Sequence, residues 1–205
     1  MIYANVILMK MFLTLFVLFF SSSVVAENIS DLQIEGMSIG ESLSDHYSKN
    51  KIKSSINDST FYYENKEYMI IIIEDSNFET YHYVQITLKP NDNEYIIHAL
   101  TGKMIYERNT EQCYNDADMI SEEIKKFLSN DVTIYKHDKP HSYDKTGKSL
   151  VKGSEFKFIL GDYIMVTCTD WSNNLQNSKN FPDSEVKVDF MPKEFADFLK
   201  NRAYK

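Results

Sequence analysis

The sequence predicts an α+β fold in which an antiparallel sheet of meanders and hairpins packs against a few helices. Three observations carry that prediction. Residues 67–74 and 79–89 are rich in β-branched and aromatic side chains, and the polar turn 90–94 (PNDNE) leads into a returning apolar string that ends at Glu107. That succession marks hairpin-linked strands. Residues 112–129 place Cys113, Ala117, Ile120, Ile124, Phe127 and Leu128 on one helical stripe, with charged side chains elsewhere. Further strand-like strings follow near the C-terminus, and strands clustered between helices imply an antiparallel sheet.

Taken in order, residues 27–34 read as a lead-in. Ser38 with Glu41 forms a capping box, and Ile39, Leu43 and Tyr47 at four-residue spacing predict a short amphipathic helix, which Ile52 and Ile56 could prolong. Four consecutive isoleucines, Ile70 to Ile73, suggest a strand buried on both faces. In residues 79–89, His82, Val84, Ile86 and Leu88 share one face, and Tyr81, Tyr83, Gln85 and Thr87 share the other. Gly102 in the returning strand suggests a bulge. After the long helix, residues 132–136 are a short strand candidate. Residues 137–153 are polar and contain Pro140, Gly147 and Gly153, which predicts a long loop. Residues 155–160 and 163–170 form a hairpin through Gly161 and Asp162. Residues 171–183 are an Asn-rich excursion. In 184–190, Val186, Val188 and Phe190 alternate with Glu185, Lys187 and Asp189. Pro192 then opens a last helix with Phe195, Phe198 and Leu199 on its buried edge.

The first residues carry a targeting pattern. Lys10 precedes the apolar string 11–20 (MFLTLFVLFF), and small residues run up to Ala26. A basic end, an apolar core and a small-residue cleavage site define a secretory signal peptide, residues 1–26, cut after Ala26. The stretch is shorter than the roughly 20 apolar residues of a membrane span. No cysteine closely follows it, which argues against a lipid anchor. The expected product is a periplasmic or secreted chain, 27–205, forming a single domain or two sub-domains, 27–130 and 131–205, with no transmembrane span. The full sequence has 43% hydrophobic residues, 13 Phe, 14 Tyr, 6 Gly and 4 Pro, enough to build a core. The net charge of −8 repels phosphate backbones, which argues against nucleic acid as a partner. Cys113 and Cys168 are an even pair in a chain bound for an oxidising compartment, so a disulfide that pins the long helix to the sheet is expected.

Few residues suggest chemistry. His137, Asp138, His141 and Asp144 (within HDKPHSYD) could ligate a divalent cation, because imidazole with carboxylate suits zinc, although Pro140 breaks any helix that would align the imidazoles. His82 and His98 sit about 13 Å apart on facing strands, too far for one metal. Residues 146–149 (TGKS) lack the first glycine of a phosphate-binding loop, since Ser142 stands in its place. Trp171, in the string Cys168-Thr169-Asp170-Trp171-Ser172, is either a sugar-stacking platform or a core plug beside the disulfide. No serine-nucleophile elbow occurs, and no cofactor is implied.

The strings 34–40 (IEGMSIG), 83–106, 113–127, 144–149 (DKTGKS) and 168–172 (CTDWS) resemble a family of uncharacterised exported proteins from marine bacteria with AT-rich genomes. That resemblance implies export and brings no activity or site. Gly36-Met37-Ser38 before a short helix and a meander is similar to the opening of small outer-membrane assembly and β-lactamase-inhibitor-like modules, which implies a binding role. The expected function is a non-catalytic interaction or ligand-binding module for an envelope protein or small ligand. The rival is a metal-dependent hydrolase that uses His137, His141 and Asp144. Convergence of those three side chains would favour the enzyme, and a strand-edged surface would favour the module.

Overall fold

The computed structural model describes Ala26 and residues 28–57, 60–129 and 131–204. The expected signal segment therefore lies, up to residue 25, outside the described residues. Eight strands form one sheet: β1 (Phe61–Tyr62), β2 (Met69–Ile73), β3 (Tyr83–Leu88), β4 (Ala99–Tyr106), β5 (Thr133–Pro140), β6 (Leu150–Lys157), β7 (Tyr163–Asp170) and β8 (Ser184–Met191). Their order is β1-β2-β3-β4-β8-β7-β6-β5. Every neighbouring pair is antiparallel. Strands β1–β4 of the first expected sub-domain and β5–β8 of the second share this sheet, because β4 pairs with β8 over Leu100↔Phe190 to Tyr106↔Ser184. Among the described residues four helices accompany it: α1 (Lys49–Ser55), α2 (Thr110–Phe127), α3 (Asn173–Lys179) and α4 (Lys193–Asn201).

Strand alternation decides which face is dry. Ile71, Ile73, Val84, Ile86, Leu88, Leu100, Val166, Val186 and Val188 share one buried cluster with Cys113 and Ala117 of α2. Each fully buried aliphatic side chain contributes about 1.5–3 kcal/mol. The four isoleucines of β2 obey the same alternation: Ile71 and Ile73 are buried, whereas Ile70 and Ile72 are half-buried. The expectation of burial on both faces is thus corrected. The disulfide is present: Cys113 and Cys168 are bonded with Cα atoms 5.7 Å apart, joining α2 to β7. Both cysteines are fully buried.

The predicted helix at Ser38–Tyr47 does not form. Ser38 N–H does donate to the Glu41 carboxylate at 3.0 Å. Beyond it, however, the backbone pairs with the segment before β4: Gly40 N–H donates to Ile97, Leu43 N–H to Tyr95, and Ile97 N–H to Glu41. Only a 3-10 turn, Leu43–Asp45, remains. Those long-range bonds satisfy the groups that a helix would have used internally. Helix α1 starts after it, capped by Ser48 and burying Ile52.

Two glycines are explained by close approach. Gly102 is no bulge, since β4 keeps regular register with Val84 and Val188. A Cβ there would meet the Tyr81 ring at 2.5 Å. At Gly153, with φ +156°, a Cβ would fall 1.9 Å from the Val166 carbonyl oxygen. A second hydrophobic cluster covers one end of the opposite face: Tyr63, Tyr68, Ala99 and Met191 pack against Phe195 and Phe198 of α4. Among the described residues, no helix is long and apolar enough to cross a membrane.

Candidate functional site

The segment expected to be a long loop is strand at both ends, around a turn at residues 141–149. His137 and Asp138 belong to β5, and residues 150–153 belong to β6. Sequence reasoning missed this because Pro140 and two glycines read as breakers. His141 N–H donates to Ser149 C=O at 2.8 Å. With the register His137↔Gly153 and Lys139↔Val151, that bond turns the odd-numbered main chain of β5 towards β6. The even-numbered groups then face outward, where Pro140 has no N–H to lose.

The expected metal ligands are not brought together. His137 and Asp138 are consecutive strand residues and point to opposite faces. His137 Nε2 lies 3.1 Å from Glu155 Oε2, and Asp138 lies 3.7 Å from Lys152 Nζ. His141 sits past the strand end with its ring 4.5 Å from Trp171, and its Nδ1 accepts from Tyr143 N–H. Burial, reinforced by the Lys187 ammonium, pushes its pKa down. Asp144 organises the turn. Its Oδ1 accepts from Thr146 N–H at 2.9 Å and Oγ1 at 2.7 Å. Its Oδ2 accepts from Ser149 N–H at 3.0 Å and Oγ at 2.7 Å. The Ser149 and Thr146 hydroxyls hold this carboxyl far below the usual range. The string TGKS is therefore the wrapping of a buried aspartate. Among the described residues, no three His, Cys, Asp or Glu side chains converge as a metal site.

Trp171 is a plug. It is only 7% exposed, with His141 at 4.5 Å and Phe181 at 4.4 Å between ring centroids. Its indole also borders the adjoining cleft. Beside it lies a cleft of about 720 Å³ lined by Arg108, Lys148, Asp170, Asn173, Gln176 and Asp183. Arg108 N–H donates to Asp183 at 2.6 Å. Burial, and then the Asp183 charge, raise the Asp170 pKa. This lining is polar and of mixed charge.

A third cluster was read in the sequence only as the polar side of a strand. On the second face of the sheet, Lys103 Nζ lies 2.7 Å from Glu185 Oε1, with both side chains under one-tenth exposed. Lys187 Nζ lies 3.1 Å from Asp189 Oδ2, and Thr101 Oγ1 donates to Asp189 Oδ1 at 2.7 Å. Burial lowers the Lys103 pKa even with Glu185 beside it. The Asp189 carboxylate raises that of Lys187. Charge is balanced within these pairs, which makes the ladder structural. His82 and His98 are likewise engaged: His82 Nδ1 accepts from Ile105 N–H, and His98 packs edge-on to Tyr68.

The open surface lies at the sheet edge. β5 is a terminal strand, and every residue in it except His137 is exposed. Ile134 is 40% exposed and Tyr135 47%. The β6–β7 hairpin tip at the same end of the sheet adds Ile159 at 77% and Leu160 at 75%. The opposite edge, β1, is only two residues long. Comparisons with protein-family models, curated proteins and solved structures find no match to this chain.

Proposed function

We propose that the chain is an exported, non-catalytic interaction module, periplasmic or secreted, whose working surface is the free edge of β5. One observation carries this reading: an eight-residue edge strand lies open along its outer side, with exposed Ile134 and Tyr135 on it. Exposed edges of this length template the addition of another strand, so proteins usually shorten or cover them. The buried disulfide supports export, since such bonds persist in oxidising compartments. The apolar leader and the resemblance to exported proteins point the same way. The rival hydrolase reading loses its support, because Asp144 is consumed by its own turn and His137 by Glu155.

A photo-crosslinking amino acid at Tyr135 tests the reading in the cell envelope, with the exposed helix position Glu122 as control. Tyr135 is expected to crosslink to another polypeptide and Glu122 is not. Equal crosslinking at both positions, or none at either, refutes edge docking.

A further inference from the structure

We infer that the strand received by the β5 edge is β5 of a second copy of this chain, in an antiparallel register centred on His137. The inference rests on the edge-docking reading above. Its basis is the order of charges along β5: Lys136, Asp138 and Lys139.

In an antiparallel pair of identical strands, a two-fold axis sets residue i opposite residue j with a constant sum. Centring on His137 sets Lys136 opposite Asp138 of the second copy, and Asp138 opposite its Lys136. Centring on Lys136 or on Asp138 sets like charges directly opposite each other, which is destabilising. In the His137 register, Ile134 meets Pro140, and Tyr135 meets Lys139, an ammonium against a ring face. The main chain agrees with this register. Lys136 and Asp138 are even-numbered, so their N–H and C=O groups point away from β6, as fixed by the His141–Ser149 bond. They can exchange both hydrogen bonds across the two-fold axis. Pro140, which has no N–H to give, offers its carbonyl to Ile134. Pairing would exchange two long, exposed ion pairs for the new ones: Lys136 is 62% exposed with Asp118 3.8 Å away, and Asp138 is 70% exposed with Lys152 3.7 Å away. Pairing would continue the sheet from one molecule into the next and remove its long open edge.

Sedimentation equilibrium on the purified, disulfide-bonded chain is the test. The wild type is expected to dimerise reversibly. Lys136→Glu sets two carboxylates opposite each other twice and should weaken dimerisation about tenfold or more, and Asp138→Lys should do the same with ammonium groups. Combining both substitutions exchanges the signs and should restore the dissociation constant to within about threefold of wild type. Because the swap keeps both new residues, its recovery separates charge register from misfolding. A wild type that stays monomeric up to about 1 mM, or a swap no tighter than the singles, overturns the inference. A monomer whose Tyr135 probe crosslinks to a different polypeptide overturns self-pairing and leaves edge docking standing. A monomer without crosslinks overturns both.

Discussion

Breaking the Cys113–Cys168 bond is expected to cost much of the stability of the fold. The bond closes a loop across a sequence separation of 55 residues. In the chain-entropy description a loop of about that length removes roughly 14 cal/mol/K from the unfolded ensemble, or about 4 kcal/mol at 25 °C. Both sulfurs are buried between α2 and β7 beside Val166 and Val186, so the link also fixes how the long helix α2 lies on the sheet. For a chain of this size about 1 kcal/mol corresponds to roughly 2–4 °C, which places the expected drop in melting temperature near 10 °C. Calorimetry of the oxidised protein, the reduced protein, Cys113→Ala, Cys168→Ala and the double variant provides the assay. The singles should each lose nearly as much as the double, because either one abolishes the same bond. The reasoning fails if reduction lowers the melting temperature by less than about 3 °C, or if the two single losses add.

The charged ladder gives an asymmetric expectation: Lys103→Met should destabilise by about 3–5 kcal/mol by stranding the Glu185 carboxylate, whereas adding Glu185→Leu should recover most of that loss. Urea titrations in which the double variant is as unstable as the single would refute the pairing. Stability should also fall in two steps as the pH drops. His98 and His141 have folded pKa values lowered chiefly by burial. The unfolded chain therefore takes up protons first, and stability declines as pH falls below about 6.5. Asp144 is also lowered, so its contribution is present above about pH 4 and drains below it. Asp144→Asn should shrink the acid step, to which the lowered carboxyls of Asp92 and Glu194 also contribute, and leave the histidine step in place. A stability curve that is level from pH 7 to 5 would contradict the histidine step.

Much of the architecture was legible residue by residue. The alternation of Val84, Ile86 and Leu88 and of Val186, Val188 and Phe190 placed β3 and β8 on one core, because the side-chain period of a strand is two. The stripe on residues 112–129 placed α2 and turned Cys113 inward, and the even cysteine pair behind an apolar leader gave its bond to Cys168. The failures share one physical cause, which is competition from partners distant in sequence. Ser38 to Tyr47 carries a helical spacing, but its backbone bonds to Tyr95 and Ile97 instead. Pro140 and Gly153 look like loop residues, yet one sits where its missing N–H faces outward and the other where Val166 leaves no room for a Cβ.

The candidate site divides in the same way. The sequence by itself determined which residues are polar, which strands alternate, and that two cysteines would meet inside. It also offered His137, Asp138, His141 and Asp144 as a group, because proximity along the chain is all that a motif can express. Only the tertiary structure decided that consecutive strand positions send His137 and Asp138 to opposite faces, and that the turn consumes Asp144. Strand order is set by long-range pairing, and no local pattern encodes it. That order makes β5 an edge and β8 a centre, which leaves Lys136 and Asp138 open to a partner while Glu185 and Asp189 are buried.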